Sequence, residues 1–454
     1  MNDSSTIDRH GNWSNWGRSA SAAPAAFVEP SSEDELCAVL ASAHREGRRV
    51  KVVGGGHSFT DIAATDGVMV SLDRLQGLLS VDPASGLVRM RGGTRLWTLA
   101  DALEPYGLAL PNMGDVDRQS IAGAISTGTH GTGLDFTGFS GTVRSLRLAL
   151  ADGSVVEVSP ESDPDLFQAA RVGLGAFGVL LEVTLACVPS FTLAASERAE
   201  PLEDMVAGFV ERSAAEDHLE FYWFQHTELV SAKVNRRLPA DAERRPLSRR
   251  QVLIDDELVG NGGHRLLCEL GRLTPGVVPA LNRVAARAMG HREYADRSDR
   301  IFVSPRRTRF REMEYAVPLE DFEEVFREVM AAVNAFGPIT FPLEIRSAAA
   351  DDTWLGTASG RRSAYIALHR FVKEDHRPYF AAVEPIFKAA AGRPHWGKLH
   401  TRDADELRGV YPRFADAVRV RDRVDPTGVF ANAYLDRVLG PAQGRPVVGA
   451  NAST

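Results

Sequence analysis

The sequence has little cysteine and lacks any long apolar run. Its three cysteines, Cys37, Cys187 and Cys268, are far apart and do not have the spacing of metal ligands, redox pairs or a disulfide framework. The first residues, MNDSSTIDRHGNWSNWG, lack the apolar segment of a signal peptide, and no apolar stretch is long enough to cross a bilayer. We therefore expect a cytoplasmic protein without a transmembrane segment, and peripheral membrane attachment stays open.

A basic excess is also missing. The formal net charge is -8 and the isoelectric point about 5.9, which argues against nucleic acid as a partner. The hydrophobic fraction of 44% and the charged fraction of 25% are typical of a soluble globular protein. A chain of 454 residues predicts two large units or three smaller ones.

The pattern of local signals predicts mixed α and β structure. A helix is expected after Ser32, because Ser32 and Glu35 have capping-box spacing, and VKVV at 50–53 reads as a short buried strand. Asp152 and Gly153 indicate a hairpin between two alternating segments. Near residue 190 the glycine-rich turns become rare and longer helical patterns appear, which indicates a second unit.

The segment GLGAFG at 173–178 matches the glycine spacing of a dinucleotide-binding fingerprint. That fingerprint requires a strand before the glycines and a helix after them. Here a helical pattern, DPDLFQAARV, precedes them, and a β-rich pattern, VLLEVTLACV, follows. The segment therefore predicts a tight helix-to-strand turn, which still permits close approach of a ligand to the backbone.

Two other glycine-rich stretches, VVGGGHSFTD at 52–61 and GAISTGTHGTG at 123–133, each contain a histidine. Successive backbone N–H groups in such turns can bind anions. Hydroxyl donors lie in or beside both stretches, at Ser58, Ser120, Thr127 and Thr129. Taken together, the two stretches suit a dinucleotide diphosphate, although each alone could be an ordinary loop.

The second half offers a polar set on two predicted strands. In ITFPLEIR, read as a strand from Ile339 to Arg346, period-two geometry puts Glu344 and Arg346 on one face. In SAYIALHRF the same rule puts Tyr365 and His369 together. If these strands pair, Glu344, Arg346 and His369 line one pocket. The alternative is that Glu344 and Arg346 form only an exposed ion pair.

The segment GRPHWGKLH crowds His395, Lys398 and His400 around a glycine turn. No acidic residue or cysteine keeps regular spacing with these histidines. The pattern therefore does not favour a metal site, and we expect none.

Five segments together resemble one family: VVGGGHSFTDIAATDGVMVSLDRL, GLALPNMGDVDRQSIAGAISTGTHGTG, FPLEIR, PHWGKLH and FANAYL. In this order they are similar to the sugar-1,4-lactone oxidases and dehydrogenases and the alditol oxidases of the vanillyl-alcohol-oxidase (PCMH-type) flavoproteins. The resemblance implies an α+β fold: a PCMH-type FAD-binding domain of two α+β subdomains at 12–190 and a substrate domain with an antiparallel sheet flanked by helices at 191–394. A segment returning to the FAD domain at 395–440 and a disordered tail at 441–454 complete it.

The resemblance also implies FAD as the cofactor, linked through its 8α carbon to His57. The residues that it places along the FAD are Val53, Gly54, Gly55, Gly56, His57, Ser58, Phe59, Gly114, Ser120, Gly123, Thr127, Gly128, Thr129, His130, Gly175, Gly178, Val179, His395, Asn432 and Tyr434. In this family the position of Gly114 controls access of oxygen to the flavin, and glycine there permits it.

On the substrate side the alditol-oxidase pattern maps onto Glu344, Arg346, His369 and Lys398, with Asp115 at the mouth. Alditol oxidases carry a small hydroxyl residue in place of Asp115 and a threonine in place of His369. Both departures favour the lactone branch.

We therefore expect an enzyme that oxidises a CH–OH group of a sugar lactone by hydride transfer to the flavin. Electrons would pass to O2, a quinone or a redox protein. Lys398, deprotonated by burial, and His369 compete for the role of general base. The alternatives are an alditol oxidase, a non-catalytic flavin- or carbohydrate-binding protein and, third, a nicotinamide-dependent dehydrogenase.

Overall fold

A small parallel sheet lies near the N-terminus of the computed structural model, which describes residues 6–253, 261–288, 290–304 and 306–444. The order of its strands is Ala26–Val28, Val68–Ser71 and Val50–Val53. The helix Glu33–Arg45 joins two of them and begins at Ser32, whose hydroxyl accepts the Glu35 amide hydrogen at 3.2 Å. The predicted helix and strand are confirmed, and the strand ends where the glycine run begins.

A five-stranded antiparallel sheet follows. Its strand order is Val155–Val158, Val143–Ala149, Val179–Ala186, Leu87–Arg91 and Leu78–Asp82. The predicted hairpin is confirmed, and Gly153 adopts φ +87° in its turn, a conformation that favours glycine. The helix Pro164–Arg171 precedes GLGAFG and a strand follows it, which is the reverse of the dinucleotide fingerprint.

The largest sheet has eight strands, all antiparallel to their neighbours. Their order is Arg292–Arg297, Phe191–Pro201, Leu229–Pro239, His218–Trp223, Leu343–Ala348, Ser363–Phe371, Phe310–Pro318 and Arg393–Pro394. Alternate residues such as Phe221, Ile345 and Ile366 form an apolar core on one face. The helices that supply the rest of this core are Leu202–Ala215, Phe322–Phe336 and Arg377–Ala389.

The strand predicted from Ile339 to Arg346 begins later, at Leu343, and runs to Ala348. Side chains capture the backbone before it: Gln225 accepts the Ile339 amide hydrogen at 2.8 Å, and Asn282 donates to the Ile339 carbonyl at 2.9 Å. Pro342 has no amide hydrogen to give to a ladder. The period-two placement is nevertheless right, since Leu343 and Ile345 lie in the core and Glu344 and Arg346 on the opposite face.

Shorter elements complete the fold. The remaining helices are Leu96–Leu103, Ile121–Ser126, Phe139–Thr142, Arg249–Gln251, His264–Leu273, Val278–Ala288, Ser298–Phe302, Ala404–Arg408, Phe414–Val424 and Ala433–Leu439, with 3-10 turns at Asp61–Ala63, Glu104–Tyr106, Pro275–Val277 and Leu319–Asp321. The remaining strands are Thr6–Ile7, Trp13–Ser14 and Ser21–Ala22, in one small sheet, and Leu108–Ala109 paired with Val188–Pro189.

The end of the chain returns to the first sheet. The Val50 amide donates to the Val429 carbonyl at 2.8 Å, so the C-terminal segment contacts the edge strand of the parallel sheet. Ala442 is buried, and Arg421 donates to the Pro441 carbonyl at 3.3 Å, so the first residues of the predicted tail pack against the fold. The rest of that tail, 445–454, lies outside the described residues.

The predicted boundaries at 190/191 and 394/395 stay predictions. Within the described part of the chain, every helix is too short or too polar to cross a membrane.

Candidate active site

A groove runs between the glycine-rich turns and the eight-stranded sheet. It consists of two cavities that share His57, Ser58, Gln119 and Thr127. The predicted cofactor residues that line the first are Val53, Gly54, Gly55, Gly56, His57, Ser58, Ser120, Gly123, Thr127, Gly175, Gly178 and Val179. Those that line the second are His57, Ser58, Phe59, Gly114, Thr127, Thr129, His130 and His395.

At the start of the groove, Gly54 and Gly55 lie too close to neighbouring residues for a side chain to fit. A Cβ on Gly54 would lie 2.5 Å from the Ser120 hydroxyl, and one on Gly55 would lie 2.5 Å from the Arg118 carbonyl oxygen. Ser120 itself caps the helix Ile121–Ser126, accepting the Gly123 amide hydrogen at 3.2 Å. The backbone of one glycine stretch therefore packs directly on the other, and both border the same cavity. This cradle fits a long, flat, phosphate-bearing cofactor.

His57 lies where the two cavities meet. Trp16 stacks on its ring with a centroid distance of 5.6 Å. The loop that carries it is tied to the HWGK turn, because the Phe59 amide donates to the Gly397 carbonyl at 2.6 Å and Thr60 donates to the Trp396 carbonyl at 3.3 Å. The imidazole is therefore held between the glycine cradle and the charged cavity.

Three predicted cofactor residues line neither cavity. Gly128, at φ +74°, follows the helix Ile121–Ser126, and Tyr434 donates its hydroxyl hydrogen to the Trp396 carbonyl at 2.9 Å. Asn432 donates to carbonyls of the turn that begins at Asp61, two of them at 2.9 Å. These residues lie one layer behind the groove, where they position its wall; contact with a cofactor stays a prediction.

Lys51 also lines the glycine cradle and carries no sequence signal for doing so. It is 2% exposed, and its ammonium group donates to the Phe430 carbonyl at 3.2 Å. Burial lowers the pKa of Lys51 to about 7, against a partly compensating attraction from Asp425. The site thus holds a lysine that can be neutral at physiological pH.

The opposite wall is the polar face of the eight-stranded sheet. Arg346 forms a close ion pair with Glu344 and donates to Glu220 at 2.9 Å. Burial raises the pKa of Glu344, and Arg346 opposes this. The strands Leu343–Ala348 and Ser363–Phe371 pair as hypothesised, with Glu344 opposite Ala367, so His369 lies on the same face. The alternative, in which Glu344 and Arg346 form an exposed ion pair, is wrong, because both side chains are buried.

Asp115 lines the second cavity. Arg306 clamps its carboxylate with two nitrogens, at 2.8 and 2.7 Å, and Arg346 approaches it to 3.6 Å. Burial acts to raise the pKa of Asp115, but the two guanidinium groups outweigh it and hold that pKa far below its usual range. Asp115 is therefore a fixed carboxylate.

Lys398 forms a close ion pair with Glu312, and a Glu314 oxygen lies 3.9 Å from its nitrogen. Burial alone would lower the pKa of Lys398, but the two carboxylates raise it. The hypothesis that burial deprotonates Lys398 is therefore wrong, and the residue is an ammonium ion. Glu312 is missing from every sequence motif and yet determines this charge.

His369 has a defined tautomer. Its Nδ1 lies 3.1 Å from the Pro342 carbonyl oxygen, which can only accept, so Nδ1 carries a hydrogen. In the neutral ring Nε2 is then the basic nitrogen, and it lies 3.6 Å from Glu312 and 3.9 Å from Glu344. A proton taken up at Nε2 would face two carboxylates.

His130, Glu314 and His395 form a cluster whose donor atoms lie within 4.8 Å of one another. His395 Nδ1 accepts the Gly397 amide hydrogen at 3.0 Å, and burial lowers the pKa of His395 to about 3, so Nε2 keeps the ring hydrogen. A nitrogen that bears hydrogen cannot bind a metal ion. The cluster has the chemistry of a hydrogen-bond network, and the expected lack of a metal site stays a prediction.

Four buried or clamped residues of this wall were missed: Glu220, Arg306, Glu312 and Glu314. The segment REMEYAVP does carry a signal, since Met313 and Tyr315 enter the core while Glu312 and Glu314 share the other face. Two carboxylates at a spacing of two in an otherwise apolar strand indicate a buried polar face. Arg306 follows no pattern, because a loop carries it.

Solved structures share this architecture. A crystal structure of cholesterol oxidase from Brevibacterium sterolicum aligns with a TM-score of 0.78 at 15% identity, covering 96% of this chain and 98% of that one. A solvent-stable cholesterol oxidase aligns with a TM-score of 0.77 at 17% identity, covering 93% and 96%. At such low identity the likeness shows the fold alone. Residues 24–159 match the FAD binding domain family, so the chain is an FAD-binding protein of this fold class.

Residues 183–438, more than half of the chain, match the family described as D-arabinono-1,4-lactone oxidase. The L-gulono-1,4-lactone dehydrogenase of Mycobacterium tuberculosis is 44% identical over 94% of this chain and 99% of its own length. The L-gulonolactone oxidase of Bos taurus is 34% identical over 94% and 97%, and the alditol oxidase of a Streptomyces species 30% over 94% and 98%. The chain belongs to the D-arabinono-1,4-lactone oxidase family of FAD-dependent oxidoreductases.

Lys51 generates a prediction about stability and pH. Its pKa is about 7 in the folded chain and roughly 10.4 when unfolded, so the unfolded state binds more protons between these values and stability rises with pH there. Lys51→Met removes this dependence. We expect the variant to be the more stable protein at about pH 7, with a difference that shrinks towards about pH 10.

Urea unfolding midpoints at several pH values measure this difference. Lys373→Met, which removes an exposed lysine, is the matched control. A gap between wild type and Lys51→Met that stays constant with pH contradicts the assignment.

Proposed function

We propose that this protein oxidises a CH–OH group of a sugar 1,4-lactone of the L-gulono or D-arabinono type. The observation that carries the proposal is the buried polar face of the eight-stranded sheet, from which Arg346 lines the cavity that also contains His57 and Lys398. Glu344 and His369 do not line this cavity themselves, but they lie beside Arg346 and Glu312, which do. The names of relatives that cover almost the whole chain support the substrate class.

FAD would lie along the glycine cradle, held by the backbone of Gly54 to Gly56, by Ser58 and by Ser120, with His57 as its covalent anchor. When bound, it supplies the acceptor for the hydride that leaves the substrate carbon. A covalent link prevents dissociation of the cofactor. The stacking of Trp16 on His57 and the backbone ties to the HWGK turn support the role of His57 as an anchor, because they fix the ring.

The proton of the substrate hydroxyl goes to His369 Nε2. In the neutral ring this nitrogen carries the lone pair, and Glu312 and Glu344, at 3.6 and 3.9 Å, would stabilise the imidazolium that results. Lys398, held as an ammonium ion, and Arg346 stabilise negative charge that develops on oxygen. Glu344 and Asp115 accept hydrogen bonds from the other hydroxyl groups.

A second candidate, oxidation of an open-chain alditol, is favoured by the relative named alditol oxidase. His369 and Asp115 depart from the pattern of alditol oxidases, which ranks this reading second. Gly114 borders the second cavity, and a Cβ there would lie 2.9 Å from the His130 carbonyl oxygen, so glycine lets the two backbone segments pack closely at this point. We propose O2, a quinone or a redox protein as acceptor, and the cytoplasm as location.

The proposed substrate class is tested by anaerobic mixing of the purified protein with a panel. L-gulono-1,4-lactone and D-arabinono-1,4-lactone should bleach the flavin absorbance faster than xylitol. Re-oxidation by air, compared with a cytochrome or a dye, then identifies the acceptor. Faster bleaching by xylitol supports the alditol reading, and a flavin that no sugar bleaches rejects both.

The covalent anchor predicts that acid-precipitated wild-type protein stays yellow. In His57→Ala the colour should pass into the supernatant, because only the non-covalent contacts remain. His10→Ala, which changes an exposed histidine, should behave as wild type. Release of FAD from denatured wild-type protein contradicts the link.

The assignment of the base is tested by stopped-flow flavin reduction across pH. His369→Gln should slow reduction by roughly 10²–10⁴-fold and abolish the loss of rate at low pH, since the group that protonates is gone. Lys398→Met should slow reduction by roughly 10²–10³-fold but keep that loss of rate at low pH. An acid limb that persists in His369→Gln rejects the histidine as base.

A further inference from the structure

In the second cavity the described lysines and arginines are all matched by carboxylates. The four pairs are Arg118 with Asp117, Arg306 with Asp115, Arg346 with Glu344, and Lys398 with Glu312. Glu220 gives Arg346 a second acidic partner, and Glu314 lies 3.9 Å from the Lys398 nitrogen. Positive charge on this wall is therefore already neutralised before any substrate enters.

The pair of Lys398 with Glu312 lies on the side of the cavity that borders the loop of His57. Lys398 follows Gly397 in the turn that is tied to the loop of His57, and Glu312 lies near the start of the strand Phe310–Pro318. Glu312 is 5% exposed, so the carboxylate cannot turn away to water. The ammonium group can approach a ligand only while it stays bonded to Glu312.

We propose that Glu312 is a specificity-determining residue, which makes the site select the neutral lactone and reject the aldonate that forms when the same lactone ring hydrolyses. This inference rests on the proposed function and deepens it. Hydrolysis adds one water molecule, opens the ring, frees the C4 hydroxyl and leaves a carboxylate with one negative charge. Among these differences, the negative charge is the one to which the ion pairs of this wall respond directly.

The physical reason for this selectivity is that the positive charges of the wall are already paired with carboxylates. A lactone brings a carbonyl and hydroxyl groups, which can join the existing pairs as additional hydrogen-bond partners. An aldonate brings a carboxylate into a buried region with several fixed carboxylates, and it must compete with Glu312 for Lys398. Like charges in such a region repel strongly, and a buried charge without a partner is costly. Removal of Glu312 would leave Lys398 available to a ligand carboxylate.

The experiment compares the affinities of flavin-loaded protein for L-gulono-1,4-lactone and for sodium L-gulonate. Binding is followed under anaerobic conditions, for gulonate by perturbation of the flavin spectrum and by competition with lactone for bleaching. In wild type, gulonate should bind far more weakly than lactone. In Glu312→Gln the affinity for gulonate should rise by about tenfold or more, as expected for a new charge-assisted hydrogen bond to Lys398.

Three further variants define the cause. Glu312→Gln combined with Lys398→Met removes both charges and should lose the gain. Glu314→Gln, which removes the more distant carboxylate, should give a smaller gain in the same direction and serves if Glu312→Gln does not fold. Asp352→Asn, which removes a carboxylate paired with Arg171 away from the cavity, should leave both affinities and the basal activity unchanged.

Equal binding of gulonate and lactone by wild type overturns the inference, and so does a gain that survives in the double variant or is missing from both glutamate variants. Failure of the proposed function is distinguishable. It appears as wild-type flavin that neither lactone nor polyol bleaches, whereas failure of this inference appears as an unchanged ratio of affinities in protein whose flavin the lactone does bleach.

Discussion

Neutralisation of charge on a buried sheet face is the constraint on which the rest of this structure depends. The eight-stranded sheet has an apolar face covered by helices and an opposite face that carries Glu220, Glu312, Glu344 and Arg346. Buried ions are costly unless each finds a partner with good geometry. Here the partners come from neighbouring strands and from two loops, so the sheet can keep this face only if the loops are in place.

The charged sheet is also tied by hydrogen bonds to both glycine stretches of the cofactor side. The Gly133 amide donates to the Ser347 carbonyl at 2.8 Å, and Thr132 donates to the Leu219 carbonyl at 2.6 Å, which fixes the second glycine stretch on the charged sheet. The Phe59 amide binds the Gly397 carbonyl and thereby fixes the first stretch beside Lys398. The groove and the charged face of the sheet are therefore rigidly connected. A shift of the loop of His57 would displace the HWGK turn and break the ion pair of Lys398 with Glu312.

The sequence predicted those parts of the site that follow from local rules. Period-two geometry placed Glu344, Arg346 and His369 correctly, because the apolar partners Ile345 and Leu368 fix each face. The sequence could not predict that the strand begins at Leu343, because this depends on hydrogen bonds to Gln225 and Asn282, which are distant in sequence. The predicted charge state of Lys398 was wrong for a similar reason. Its burial could be predicted, but its partner Glu312 comes from a strand that is distant in the sequence. Arg306 reaches Asp115 from a loop, which no periodicity marks.

A wall in which cations and carboxylates are matched also has a consequence for proton transfer. If His369 is the base, as we propose, the proton of the substrate hydroxyl would arrive at Nε2, where Glu312 and Glu344 already lie within 4 Å. The stabilising charges are thus in position before the reaction and need no rearrangement during it, which is the condition under which electrostatic stabilisation is most effective. The same matched pairs that make burial of the sheet face tolerable therefore prepare the site for one defined change of charge.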